Sequence, residues 1–117
     1  MGERMSFEIY YLDDEVDLLE IFSDTFSSED VKIKTFSDPS LFILEVNKNN
    51  PDLVFMDFRL PHITGDEIAL KLNKEIPKAI ISGDLNLALK SDIEDVFEKP
   101  YDVKKICDFI NKLKKRD

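Results

Sequence analysis

Apolar positions change period several times along the chain, and each change predicts an element. Phe7 to Leu12 is a short apolar run, read as a first strand. From Asp14 to Phe26 the residues Val16, Leu19, Phe22 and Phe26 recur at helical spacing, as one face of a helix laid on a core. Val31 to Phe36 alternates, with Val31, Ile33 and Thr35 set against Lys32 and Lys34, as a half-buried strand does. Asp38-Pro39 offers an N-cap and a proline suited to the first helical position, and this second helix is expected to end near Asn47 to Asn50, before Pro51. Leu53 to Met56 reads as a third strand, Gly65 or Asp66 to Asn73 as a third helix, and Ala79 to Ile81 as a fourth strand. Leu85 to Leu89 is expected to form a short helix and Val96 to Glu98 a fifth strand. Asp102 then caps a final helix with Val103, Ile106, Ile110 and Leu113 on one face. Its basic end, Lys112 to Arg116, puts cations where the helix dipole favours them, and reads as a solvated helix end.

Strands alternating with helices predict an α/β fold: a doubly wound, five-stranded parallel sheet with helices on both faces. In such sheets the site lies outside the carboxyl ends of the strands, where strand order reverses. That rule gathers residues that are distant in sequence. The first strand ends on Asp13-Asp14, the third on Asp57, the fourth on Ser82 and the fifth on Lys99-Pro100. Each has an ordinary role available: Asp14 as a helix cap, Ser82 as a turn residue, Lys99 as a solvated cation. All of them on one edge is a much less ordinary coincidence.

The residue types fit one chemistry. Clustered carboxylates repel each other, and a hard cation relieves that repulsion; Mg²⁺ suits a site with few carboxylates, waters and phosphate oxygens. A carboxylate can also attack phosphorus to give an aspartyl-phosphate. A phosphoryl group in flight carries charge on its equatorial oxygens and needs cationic clamps and donors, which Lys99 and Ser82 can supply.

With Leu12-Asp13-Asp14-Glu15, Met56-Asp57-Phe58-Arg59-Leu60-Pro61 followed by Gly65, then Ser82-Gly83 and Lys99-Pro100-Tyr101, the chain resembles the receiver domains of two-component response regulators. The resemblance runs from about Ser6 to Lys114, and the family fold is a flavodoxin-like sheet of order 2-1-3-4-5. It implies that Asp57 accepts a phosphoryl group from a phosphohistidine, carried by a sensor histidine kinase or a phosphotransfer protein. It implies Mg²⁺ bound by Asp14 and Asp57, with Asp13 sharing the ion or acting through water, and by the backbone carbonyl of Arg59. Ser82 and Lys99 would bind phosphoryl oxygens, and Lys99-Pro100 would hold a cis peptide. The chain would catalyse only its own phosphorylation and dephosphorylation, and would switch a face that binds a downstream protein.

Two other readings use the same residues. A haloacid-dehalogenase-like phosphatase also needs an aspartate nucleophile, Mg²⁺, a Ser/Thr and a Lys, but normally has an acid two residues after the nucleophile, where this chain has Arg59. A pseudo-receiver scaffold has no need of Asp13, Asp14, Asp57, Ser82 and Lys99 together. A flavin site is disfavoured, because no Gly/Ser/Thr-rich phosphate loop follows the first strand. Two departures from the family stand out: Val96 occupies the usual aromatic position three before the lysine, and the interval from Ser82 to Lys99 is short. Phe97 is adjacent, but alternation points it to the other face.

The remaining features add limits. A length of 117 residues suits one domain, expected over 6–117 with a short leader at 1–5. The net charge of -9 disfavours nucleic acid and anionic membranes. No apolar run has the length of a membrane span and no export signal is visible, so the expected setting is cytoplasmic. Cys107 is the single cysteine and reads as a packing residue, and His62 as an exposed loop residue.

Overall fold

The computed structural model describes residues 6–84, 87–89 and 92–116. The elements follow in the order β1 (Phe7–Leu12), α1 (Val16–Phe26), β2 (Val31–Phe36), α2 (Pro39–Asn49), β3 (Leu53–Asp57), β4 (Arg59–Leu60), β5 (Ile63–Thr64), α3 (Gly65–Ala69), β6 (Lys78–Ser82), β7 (Asp95–Glu98) and α4 (Val103–Lys114). Five strands form one parallel sheet of order β2-β1-β3-β6-β7, which is the expected 2-1-3-4-5 arrangement. The central β3 and β6 are buried along their whole length, as strands covered on both faces must be.

Side chains alternate between two cores. Tyr11, Phe22, Phe55, Phe97, Ile106 and Phe109 pack on the face covered by α1 and α4. Tyr10, Phe42, Met56, Ile68 and Ile80 pack on the opposite face, under α2 and α3. Phe97 and Val96 divide between the two cores as alternation predicts. Half-buried Leu87, Leu89 and Ile93 pack, like Val96, against the second core.

Register brings the strand ends level. Leu12 pairs with Met56, Asp57 with Ile81, and Ser82 with Glu98. Asp13 and Asp57 therefore leave adjacent strands at the same height, at the point where the strand order reverses between β1 and β3.

Several elements differ from expectation. Val16 and Val103 are 60% and 46% exposed, so the buried stripes begin at Leu19 and Ile106. Both valines lie in the first turn of a helix that starts at the carboxyl rim, where the sheet beneath has ended. The third helix stops at Ala69, not Asn73. Lys71 and Leu72 bond three residues back in a tighter turn, and Asn73 is drawn away by the end of α2, to Asn47 Oδ1 at 2.8 Å and Asn50 Oδ1 at 2.7 Å. The antiparallel pair β4–β5 was not expected; Pro61 and His62 make its turn, with His62 at φ 71° in the third place, the pattern of a type II turn. The short helix expected over Leu85 to Leu89 lies partly outside the described residues, and residues 87–89 are neither helix nor strand. The proposed leader at 1–5 is also outside them. Among the described residues no helix is long and apolar enough to cross a membrane.

Candidate functional site

The alternation that builds the α1/α4 core continues past the ends of the strands. Ile9 and Tyr11 lead to Asp13, Leu53 and Phe55 lead to Asp57, and Phe97 leads to Lys99. Two carboxylates and an ammonium group thus cap one aromatic core. Asp13 is fully buried and Asp57 is 6% exposed. Lys99 Nζ lies 3.2 Å from Asp13 Oδ2 and 3.3 Å from Asp57 Oδ1, with Glu15 Oε1 at 3.9 Å. The Lys99-Pro100 peptide is cis.

Asp13 is held from three directions. Its Oδ1 accepts from the Glu15 backbone N–H at 3.0 Å, and its Oδ2 accepts from the buried Tyr11 hydroxyl at 2.6 Å as well as from Lys99. Tyr11 was not anticipated as part of the site. Its signal is its place two residues before Asp13, on the same side of the strand. Burial, reinforced by the hydrogen bond to Asp13 and its charge, pushes the phenol far above its ordinary range, so Tyr11 acts only as a neutral donor.

Electrostatics set Asp57 apart. Burial, then the charge of Asp13, push its carboxyl up to about 6, against the pull of Lys99 and of the Arg59 backbone N–H. Burial alone would lower the Lys99 ammonium, but Asp13 and Asp57 outweigh it and the group is held above its usual value. Two buried carboxylates thus share one cation. Exposed Asp14 adds a third acid: one carboxylate oxygen from each of Asp13, Asp14 and Asp57 lies within 4.8 Å of the others. Opposed oxygens around an octahedral Mg²⁺ are about 4 Å apart, so these residues fit a single small hard cation with slight closure.

Gly65 supports Asp57 from behind. Its N–H bonds the Phe58 carbonyl at 2.8 Å, and a Cβ there would lie 2.6 Å from the Asp57 carbonyl oxygen. Only glycine lets the start of α3 approach this closely.

Ser82 is 1% exposed and lines the same cleft, but its hydroxyl is engaged elsewhere: Oγ donates to the Asp84 carbonyl at 2.9 Å and accepts from the Asp84 N–H at 3.0 Å. The Arg59 guanidinium reaches across to Asp84 Oδ2 at 3.1 Å. Arg59, Asp84, Asp14, Glu15, Asp57, Gly83 and Lys99 complete the lining of a cleft of about 490 Å³. His62 is exposed at its hairpin turn and is not among the lining residues, and Cys107 packs half-buried against the α1/α4 core.

The family profile described as "Response regulator receiver domain" matches residues 9–111. The chain belongs to the response regulator receiver family. Curated relatives of this receiver include the response regulator protein TodT of Pseudomonas putida, 31% identical over 109 residues, covering 86% of this chain and 48% of that protein. The response regulator protein TmoT of Ectopseudomonas mendocina is 30% identical over 101 residues, covering 80% of this chain and 46% of that one. The receiver thus spans about half the length of the curated relatives it matches.

Solved structures agree in fold. The signal receiver domain of an HD domain-containing protein from Pseudomonas fluorescens Pf-5 superposes with a TM-score of 0.84 at 16% identity, covering 97% of this chain and 90% of that one. A CheY-like receiver domain from Methylobacillus flagellatus gives 0.81 at 16% identity, covering 92% and 98%. At such identities the likeness concerns the fold.

Proposed function

We propose that this receiver is the phosphoacceptor of a two-component phosphorelay, with Asp57 as the residue that takes the phosphoryl group. One observation carries the reading: a buried carboxylate whose proton affinity is raised, with Lys99 Nζ at 3.3 Å and two further acids within one cation's reach. Asp13, Asp14 and Asp57 would hold Mg²⁺, with the Arg59 carbonyl as a further ligand. When bound, the ion supplies charge neutralisation for the equatorial phosphoryl oxygens.

The donor is a phosphohistidine of a sensor kinase or phosphotransfer protein. An Asp57 carboxylate oxygen forms the new P–O bond as the P–N bond breaks, and the electron pair leaves with the imidazole nitrogen. Lys99, already between the two buried acids, follows the charge onto the phosphoryl oxygens, and Ser82 turns its proton to another of them. The chemistry is confined to the chain's own carboxylate, and the product is a switch for a downstream protein. We read 6–117 as one receiver unit. A cytoplasmic setting goes with this reading, since no export signal is visible in the sequence.

Apolar side chains beside the site support a protein donor. Val16, Ile21 and Val103 are exposed, and an apolar groove of about 460 Å³ between α1 and α4 runs up to Lys99 and Pro100. A partner seated there brings a histidine to the rim where Asp57 opens.

Incubation with acetyl phosphate or phosphoramidate and Mg²⁺, followed by intact mass, tests the proposal. One added phosphoryl group is expected, abolished by chelation and by Asp57→Asn. Undiminished labelling of that variant contradicts it.

A further inference from the structure

Before any phosphoryl group arrives, the proton of Ser82 is committed to the Asp84 carbonyl, and its oxygen also accepts from the Asp84 N–H. The Asp84 carboxylate is in turn tied to the Arg59 guanidinium at 3.1 Å. Arg59 stands two residues after Asp57 on β4, and Asp84 two residues after Ser82 beyond β6. The ion pair therefore bridges the cleft, joining the wall that carries the carboxylate to the wall that carries the hydroxyl.

We propose that Arg59–Asp84 is a latch that holds Ser82 on the Asp84 backbone until a phosphoryl group on Asp57 recruits both Arg59 and Ser82. The inference rests on the reading of Asp57 as phosphoacceptor. Each state has its own contacts. In the closed state Arg59 binds Asp84 and Ser82 donates to the Asp84 carbonyl. In the open state the guanidinium binds phosphoryl oxygens, Ser82 donates to another of them, and the turn at Gly83 and Asp84 is released. A switch needs such differential contacts.

The strength of the pair suits the role. The Arg59 side chain is 68% exposed and that of Asp84 42%, and exposed pairs shift a local equilibrium by no more than about fivefold. A phosphoryl dianion is the stronger partner, because it offers a guanidinium two parallel charge-assisted bonds. The latch is therefore weak enough to be opened by the event it reports. A Lys in place of Arg59 lacks that fork geometry.

The Asp84 amide is the direct reporter, since its N–H is bonded to Ser82 Oγ. Its exchange rate is to be measured by NMR with and without Mg²⁺ and beryllofluoride, a phosphoryl mimic. Without the mimic, Arg59→Gln and Asp84→Asn should each expose this amide by a few fold, up to about fivefold, and high salt should do the same to the wild-type chain only. The charge-swapped double variant, Arg59→Asp with Asp84→Arg, should restore protection, which a merely structural role for either residue does not predict. With the mimic, the wild-type amide should lose protection to the level of the single variants. Unchanged protection in both single variants overturns the latch, as does a wild-type amide that stays protected with beryllofluoride seated at Asp57. If beryllofluoride does not bind at all, the phosphoacceptor reading fails and the opening step of the latch fails with it, while the mimic-free comparison still decides whether Arg59–Asp84 holds the closed state.

Discussion

Asp57 is a carboxylate made reluctant to ionise, first by burial and then by Asp13, so that its pKa rises to about 6. The sign of the consequence follows from linkage. A native acid with a raised pKa binds its proton more tightly than the unfolded chain does. Its contribution to metal-free stability is fully present below the unfolded value near 4 and is lost as pH rises through about 6. A cation relieves this loss, and protons compete with it. Mg²⁺ should therefore raise the melting temperature at about pH 8 and much less at about pH 5, with Asp57→Asn removing most of the gain at the higher pH. Equal Mg²⁺ responses at both pH values, unaltered in the variant, would place the bound ion elsewhere. At this scale the strand-end residues Asp13, Asp57, Ser82 and Lys99 were legible, because a parallel sheet brings its carboxyl ends to one rim. Two features were not. Tyr11 looks like any core aromatic until its hydroxyl is seen on Asp13. The direction of the Ser82 hydroxyl depends on backbone groups of Asp84, which carry no side-chain signature.

The start of α3 lies directly against the backbone of Asp57. A Cβ on residue 65 would press on the Asp57 carbonyl at 2.6 Å and on the Phe58 Cα at 3.2 Å, both backbone atoms with little room to yield. Gly65→Ala should cost about 1–3 kcal/mol of stability in urea unfolding, the range for overpacking. It should also slow phosphorylation by small donors, because relief of the clash displaces Asp57. A loss below about 0.5 kcal/mol, the range of an ordinary surface change, would show that α3 yields freely. Long periodic elements were read close to their true bounds, since 11 residues of α1 or α2 repeat their pattern several times. The misreadings lie where periodicity has no room to act or a distant partner intervenes. Two-residue strands such as β4 and β5 have no period, and the third helix is cut short by Asn47 and Asn50 across the fold. Val16 and Val103 fit their helical stripes yet project past the end of the sheet, which a one-dimensional pattern does not register.

Across the whole molecule, the two sheet faces divide the labour. The α1/α4 face carries the aromatic core of Tyr11, Phe22, Phe55 and Phe97, the acids and lysine above it, and the exposed apolar rim. The other face carries Val96, and half-buried Leu87, Leu89 and Ile93 pack against the same core. A donor protein that docks on the rim should be sensitive to Ile21→Ser, which is 53% exposed in the native chain. Phosphotransfer from the cognate kinase should fall about tenfold or more, as for a contact near the centre of an interface. Labelling by acetyl phosphate should be unchanged. Parallel loss with both donors would mean that the substitution damages the site itself. The central claim, that a phosphoryl group forms an acyl phosphate on Asp57, is tested most directly by chemical trapping. Reduction of the phosphorylated chain with borohydride converts an aspartyl-phosphate to homoserine, which peptide mapping locates. Homoserine at position 57, formed only with phosphodonor and Mg²⁺, is the expected result. Trapping at another carboxylate, or a phosphoryl mass that resists borohydride, would contradict the account.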